Sequence, residues 1–243
     1  MPPDRLTAGI AEAKLHRQDA VEWLRTLRDA SVDLVITDPP YESIEKHRAV
    51  GTTTRLKHSK ASSNDWFAVF HNSRFPKLFV ELYRVLKRNS HLYLFCDPET
   101  AFVVRPIAEN AGFKFWKPLI WDKVTIGMGY HYRARYEFIL FFEKGKRKLA
   151  DLGIPDVLTE KRIRNGFPAE KPVALLRRLV EQSSREGELV VDPFAGSGST
   201  LVAALGLGRR AEGADISERA CEFAMARLRA HPPCQNGAAG PQG

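Results

Sequence analysis

Cysteine is scarce in this chain: three among 243 residues, Cys96, Cys221 and Cys234, widely spaced and without a Cys-x-x-Cys. An odd, scattered set argues against a disulfide framework and a cysteine-rich zinc site, so no metal is expected and a reduced, cytoplasmic compartment is the simplest reading. Long apolar runs are missing too. Stretches such as Phe138 to Phe142 fall far short of the roughly 20 residues that span a bilayer, so no membrane partner is expected. The N-terminus, Met1-Pro2-Pro3-Asp4-Arg5, has no apolar segment leading to small residues, and no secretory signal is expected. No internal repeat of the solenoid kind is visible.

What is present is ordinary in bulk and uneven in charge. Hydrophobic residues make up 44% and charged residues 27%, close to globular averages. The net charge is +8 and the pI about 9.5, a balance that favours an acidic partner, with nucleic acid first. Residues 42–75 hold six Lys/Arg against three Asp/Glu, and residues 144–164 hold seven against three. Their nets of +3 and +4 account for +7 of the +8 and leave the rest of the chain nearly neutral.

Short β-branched or aromatic runs alternate with helical patterns, the signature of a parallel sheet covered by helices. Strands are expected at Ser31 to Thr37, His91 to Cys96, Lys117 to Trp121, Glu137 to Glu143, Leu189 to Asp192 and Arg210 to Asp215. Helical stripes run through Val21, Leu24 and Leu27, through Phe75, Leu78, Phe79, Leu82 and Leu86, and through Leu175, Leu176, Leu179 and Val180. Ser217 is placed to cap a last helix reaching about Arg229. Residues 42–75 and 144–164 lack apolar periodicity and read as loops or insertions. Residues 1–231 are expected to form one domain, and residues 232–243 a disordered tail. Trp66, Trp116 and Trp121 read as core residues, and Cys96 as a small buried apolar group.

Two segments carry chemistry. Asp38-Pro39-Pro40-Tyr41 directly follows an apolar strand, where open α/β sheets place ligands. Two prolines remove two backbone donors, so a carboxylate, a proline carbonyl and an aromatic ring can converge there. That set suits an exocyclic amino group on a planar base; a proline turn with an aspartate cap is the competing reading. The second segment, Asp192-Pro193-Phe194-Ala195-Gly196-Ser197-Gly198-Ser199-Thr200, lies between a strand and an apolar helical stretch. It has no lysine for a P-loop, and Leu201 stands where a dinucleotide fingerprint needs its third glycine. A nucleoside-type cofactor remains, supported by Asp215 at the end of the next strand, an acid placed to take ribose hydroxyls or else to cap the following helix.

Asp38-Pro39-Pro40-Tyr41 followed by Asp192 to Thr200 resembles the amino-methylating DNA methyltransferases that use S-adenosylmethionine, in the motif order of their permuted β group. Phe167-Pro168-Ala169-Glu170-Lys171-Pro172 resembles the family's cofactor-flanking segment, with Phe167 where histidine is usual. Gln18-Asp19 resembles its Gly-Asp element, whose acid lies near the cofactor adenine. The resemblance implies a doubly wound, mostly parallel Rossmann-like α/β sheet with one antiparallel strand, circularly permuted. It implies a catalytic set of Asp38, Pro39, Pro40 and Tyr41. Its implied cofactor set is Asp19, Asp38, Phe167, Lys171, Pro172, Asp192, Phe194, Ala195, Gly196, Ser197, Gly198, Ser199, Thr200 and Asp215.

The implied reaction is methyl transfer from S-adenosyl-L-methionine to N6 of a flipped adenine in double-stranded DNA. Cytosine N4 is the nearest alternative: Ser-Pro-Pro-Tyr is the more frequent cytosine motif, so Asp38 favours adenine. RNA or protein-glutamine methylation, and a catalytically silent DNA-binding module, are more distant. Lys46, Arg48, Arg55, Lys57, Lys60, His131, Arg133 and Arg135 are the expected DNA contacts. The resemblance also implies a homodimer, a nucleoid-associated location and a place in restriction-modification or a related role.

Overall fold

The computed structural model describes residues 13–43, 68–127, 132–164 and 166–230. Its elements run β1 (Ala13–Arg17), α1 (Ala20–Thr26), β2 (Val32–Thr37), α2 (Phe75–Val85), β3 (Leu86–Cys96), α3 (Pro98–Asn110), β4 (Lys114–Asp122), β5 (Tyr136–Lys144), β6 (Val157–Thr159), α4 (Val173–Ser183), β7 (Leu189–Asp192), α5 (Ser199–Leu205), β8 (Arg210–Asp215) and α6 (Glu218–Ala230). The strands form one eight-stranded sheet in the order β1-β8-β7-β2-β3-β5-β4-β6. β5 runs antiparallel to both of its neighbours, β3 and β4, and the other pairings are parallel.

Alternating side chains explain the two layers of helices. Leu34, Ile36, Tyr93, Phe95, Ile139 and Phe141 point to one face and pack against α4, α5 and α6. Val35, Leu92, Leu94, Cys96, Leu140 and Phe142 point to the other, against α1, α2 and α3. A sheet buried on both faces requires near-continuous apolar strands, which is what β2, β3 and β5 supply. The stripe Phe75, Leu78, Phe79 and Leu82 is fully buried on α2, while Leu86, which continues its spacing, instead begins β3.

The six expected strands are present, four of them longer or shifted at their ends by one to five residues. Three elements had no clear sequence signal. β1 reads Ala-Lys-Leu-His-Arg, with only two apolar positions; α3 carries Pro106 inside it; β6 is three residues long. β6 lies within 144–164, so that segment is not wholly a loop: it adds an edge strand parallel to β4. Trp121 is buried, at 2% exposure, but Trp116 is 52% exposed and is not core. It lies in β4 at the irregularity between Phe115 and Lys117, with the Lys114 ammonium 3.6 Å from its ring centroid and its Nε1 donating to Glu143. Cys96 and Cys221 are buried thiols. Lys46, Arg48, Arg55, Lys57, Lys60, Trp66, His131, Cys234 and the expected tail lie outside the described residues. No helix among the described residues is long and apolar enough to cross a membrane.

Candidate active site

After β2 the chain departs toward β3, and after β7 toward β8, so a crevice opens between the carboxyl ends of two adjacent strands. Asp38 follows one of these strands and Asp192 ends the other. The Thr37 hydroxyl donates to Asp192 Oδ1 at 3.0 Å and ties the two ends together. Around this crevice lies a cleft of about 1140 Å³. Its wall includes Asp19, Asp38, Pro39, Pro40, Tyr41, Phe167, Lys171, Asp192, Phe194, Ala195, Gly196, Ser197, Ser199, Thr200 and Asp215. Two expected cofactor residues stand outside it. Pro172 caps the start of α4, and Gly198 lies behind the loop against α6.

The loop from Asp192 to Thr200 is braced from within. Buried Asp192 accepts from the Phe194 N–H at 3.0 Å, from Thr37 and from the Thr200 hydroxyl. Burial nevertheless pushes its carboxyl up to about 7. Asp215 accepts from the N–H of Gly196 at 2.9 Å and of Ser217 at 2.8 Å, so the acid that ends β8 joins the loop to the start of α6. Burial raises its carboxyl above the ordinary range. Ser217 itself caps α6 as its position implies, accepting from the Ala220 N–H at 3.3 Å. At Gly198, φ is +75° and an added Cβ would stand 2.8 Å from that of Ala224, so close packing of loop on helix requires glycine here.

Asp38-Pro39-Pro40-Tyr41 is held by the neighbouring chain. The Pro40 carbonyl accepts from the Phe70 N–H at 2.6 Å, and Tyr41 pairs with Phe70 in a parallel bridge. Among the described residues no hydrogen bond ends on the Pro39 carbonyl, which keeps that acceptor for a ligand. Burial and the nearby Glu137, Asp38 and Asp97 carboxylates raise the Tyr41 phenol well above its ordinary value, so its ring faces the cleft neutral. Phe70 continues the aromatic wall edge-on to Phe194, 5.0 Å between centroids.

Beyond the expected Asp19, Asp38 and Lys171, the structure brings in Glu137, Lys123 and Arg227, which no local sequence signal marks. Lys171 ion-pairs with Asp38 and also lies 3.1 Å from Glu137 Oε1, while Lys123 reaches Glu137 Oε2 at 2.8 Å. The four charges form a chain from the cleft toward solvent. Burial raises the Asp38 carboxyl, Lys171 opposes that rise, and Glu137 adds to it. Arg227 of α6 bonds the Ser197 carbonyl and Ser199 hydroxyl at 2.9 Å each and pairs with Glu170 at 3.1 Å, joining the loop to the segment before α4. Asp19 caps α1 through the Val21 N–H at 3.0 Å and pairs with Arg74 at 2.8 Å. The signal that would have found Glu137, Lys123 and Arg227 is spatial, as is the pairing of Lys171 with Asp38 across 133 positions.

The basic segment 144–164 divides. Because β5 is reversed, it starts at the cleft and ends at the opposite edge. There Lys144 donates to the Tyr83 and Leu86 carbonyls at 2.5 and 2.7 Å, and Arg147 pairs with Glu188 at 2.6 Å. Arg162 and Arg164 instead line the cleft mouth. Of the expected DNA contacts in the β4–β5 connection, Arg133 is exposed and donates to the Gly127 carbonyl, and Arg135 is held bidentately by Asp122 at 2.7 and 2.8 Å. No group of three or more His, Cys, Asp or Glu suited to a metal occurs among the described residues.

Comparison with known proteins agrees with this geometry. A DNA methylase family model, that of the N6/N4 methyltransferases, matches residues 32–156 and 152–226. A protein of Escherichia coli (strain K12) named as a methylase, YubD, is 33% identical over 215 residues, covering 87% of this chain and 88% of that one. The type II methyltransferase M.HpaI of Haemophilus parainfluenzae is 26% identical over 245 residues, covering 89% and 74%. A solved structure named as a DNA modification methylase of Thermus thermophilus, TTHA0409 complexed with S-adenosyl-L-methionine, superposes with a TM-score of 0.66. It is 26% identical and covers 90% of this chain and 94% of that one.

Proposed function

The chain belongs to the N6/N4 DNA methylase family, enzymes that use S-adenosyl-L-methionine, and within that family we propose that it methylates the N6 amino group of adenine in double-stranded DNA. The observation that carries the proposal is the Asp38 carboxylate, beside a Pro39 carbonyl on which no hydrogen bond ends among the described residues, sharing one cleft with the braced loop of Asp192 to Thr200. Two hydrogens on an amino nitrogen need two acceptors, and these two stand at consecutive residues.

The cleft suits the cofactor as well as a base. Its volume slightly exceeds the roughly 300–1,000 Å³ of a site for one small ligand. At Gly196 an added Cβ would have no atom nearer than 3.9 Å, so the loop leaves open space there. Phe194, Phe167 and Ile216 offer apolar faces for an adenine ring, and the Asp215 and Asp19 oxygens retain acceptor capacity for hydroxyls. When bound, S-adenosyl-L-methionine supplies an activated methyl on a sulfonium centre.

The chain's own residues then have definite tasks. The adenine amino nitrogen is a poor nucleophile because its lone pair is delocalised into the ring. Hydrogen bonds donated by that amino group to Asp38 and the Pro39 carbonyl localise the pair as the nitrogen becomes tetrahedral. The nitrogen would gain positive charge as its bond to the methyl carbon forms and the carbon–sulfur bond breaks, the electron pair going to sulfur, and Asp38 would stabilise that charge until the proton passes to solvent. Tyr41 offers its ring to the base, which must leave the duplex to reach the cleft. Arg162 and Arg164, which line the cleft, and Arg133, exposed in the β4–β5 connection, are assigned to DNA phosphates.

Methyl transfer to genomic DNA, followed by nucleoside analysis and sequencing of modified positions, tests the proposal. N6-methyladenine at defined sites is the expected product. N4-methylcytosine would keep the chemistry and overturn the base, and absence of transfer by folded, cofactor-binding protein would overturn the enzyme itself.

A further inference from the structure

Asp38 cannot serve the target amino group and Lys171 equally. The ammonium already bonds Oδ2 of the carboxylate and neutralises its charge, and a second positive charge develops on the amino nitrogen during transfer. Lys171 has little room to leave: it is 11% exposed, and apart from Asp38 it sees the Phe95 and Trp121 rings, 5.2 and 5.9 Å from their centroids, and Glu137. An ammonium abandoned among aromatic faces would lose its charge-assisted hydrogen bond in a dry site.

Glu137 solves this by position. It is the second residue of β5, and only the reversed direction of that strand brings an early residue to the carboxyl ends of its neighbours. Its carboxylate is 8% exposed and splits between two cations, with Oε1 toward Lys171 and Oε2 toward Lys123. Lys123, 4.9 Å above the Trp121 ring, keeps Glu137 ionised without competing for Oε1.

We propose that Glu137 is a positioning residue that acts as an alternative seat for the Lys171 ammonium, taking it over when the target amino group engages Asp38. The inference rests on the reading of Asp38 given above. Without substrate, Lys171 bridges Asp38 and Glu137, and Asp38 is held in one orientation. With the base in place, the ammonium moves to Glu137, Asp38 turns its charge to the amino group, and the buried network still contains two cations and two carboxylates. The titratable groups around Asp38 among the described residues are Lys171, Glu137, Lys123, Asp192, Tyr41 and Cys96.

Steady-state transfer to genomic DNA at saturating S-adenosyl-L-methionine, across the pH range, tests this with the full chain. Glu137→Gln keeps the shape but loses the charge. It should lower kcat/KM for DNA about tenfold or more, with cofactor Kd unchanged. The acid limb of kcat/KM should move to lower pH, because Glu137 raises the Asp38 carboxyl and its loss lets that group ionise more easily. Glu137→Asp should recover most of the loss. Should Glu137→Gln fail to fold, Lys123→Met decides: it leaves the full Glu137 charge to Lys171, and the acid limb should move up in pH.

Unchanged kcat/KM for DNA in Glu137→Gln, a loss shared equally by cofactor binding, or an acid limb that stays fixed or moves the other way in either variant would overturn the proposal. Asp38→Ala measured alongside separates the two failures. Transfer retained by Asp38→Ala overturns the reading of Asp38, whereas an inactive Asp38→Ala beside an unaffected Glu137→Gln overturns the role of Glu137 alone.

Discussion

The two ends of the sheet bury polar groups by different means. At the carboxyl ends of the parallel strands the buried groups are charged: Asp38, Lys171 and Glu137 lie within one network, and Asp192 stands beside it. At the opposite end the buried carboxylates have fixed partners, Asp33 with Lys87 and the Leu189 N–H and Glu143 with Trp116 and the Arg147 N–H, and the central buried group is neutral. His91, 1% exposed, donates from Nε2 to the Arg147 carbonyl at 3.1 Å, since a carbonyl can only accept, and this makes Nδ1 the acceptor from the Ser183 hydroxyl at 2.7 Å. The Tyr93 hydroxyl then donates to Ser183 Oγ at 2.7 Å. Cations at this end cover backbone carbonyls, as Arg84 does at Leu24 and Leu27, both at 2.8 Å, and Lys144 at Leu86.

The difference separates stability from function. At the far end His91, Ser183 and Tyr93 are matched donor to acceptor. The cleft end keeps the Pro39 carbonyl, on which no hydrogen bond ends among the described residues, and a carboxylate shared between duties.

Substitutions at each end should therefore diverge. The largest effect belongs to Lys171→Met, which removes the direct ion-pair partner of Asp38 and leaves two buried carboxylates together. A loss of about 3–5 kcal/mol in denaturant melts, with transfer falling steeply, is expected. A stable, active Lys171→Met would erase the contrast between the ends.

Next in size is the response of His91 to acid. Burial lowers its pKa to about 4, so the folded protein keeps the ring neutral while the unfolded chain takes up a proton near 6.5. The stability from this group is complete above the unfolded value and is lost as pH falls from 6.5 toward 4, a change on the order of 3 kcal/mol. Melts of wild type and His91→Asn at pH 7.5 and 4.5 measure it, and an equal acid loss in the two proteins would remove His91 from the explanation.

The smallest effect is expected for Ser183→Ala. It strands the His91 Nδ1 and the Tyr93 hydroxyl at a cost of about 1–3 kcal/mol, with kcat and KM unchanged. A change in KM for DNA would show that the far end is not functionally separate.

The same division governs what the sequence reveals. β2, β3 and β5 are legible because a strand buried on both faces must be apolar throughout, and Asp38 to Tyr41 and Asp192 to Thr200 are legible because each motif is contiguous. β1 and β6 lie at the sheet edges, where one or two buried side chains suffice and the pattern is too thin to read. Glu137, Lys123 and Arg227 acquire their roles only through pairings between distant segments, and Glu137 also depends on the reversal of one strand. Net charge was the least resolved signal. Within 144–164 it counts Lys144 and Arg147, bound at the far end, together with Arg162 and Arg164 at the cleft mouth.

The central claim is that Asp38 performs the chemistry of this cleft while the loop from Asp192 to Thr200 and Asp215 hold the cofactor. Methyl transfer to genomic DNA and S-adenosyl-L-methionine binding, measured together on Asp38→Ala, test it most directly. Loss of transfer with cofactor binding retained is the expected result; transfer at the wild-type rate would contradict it.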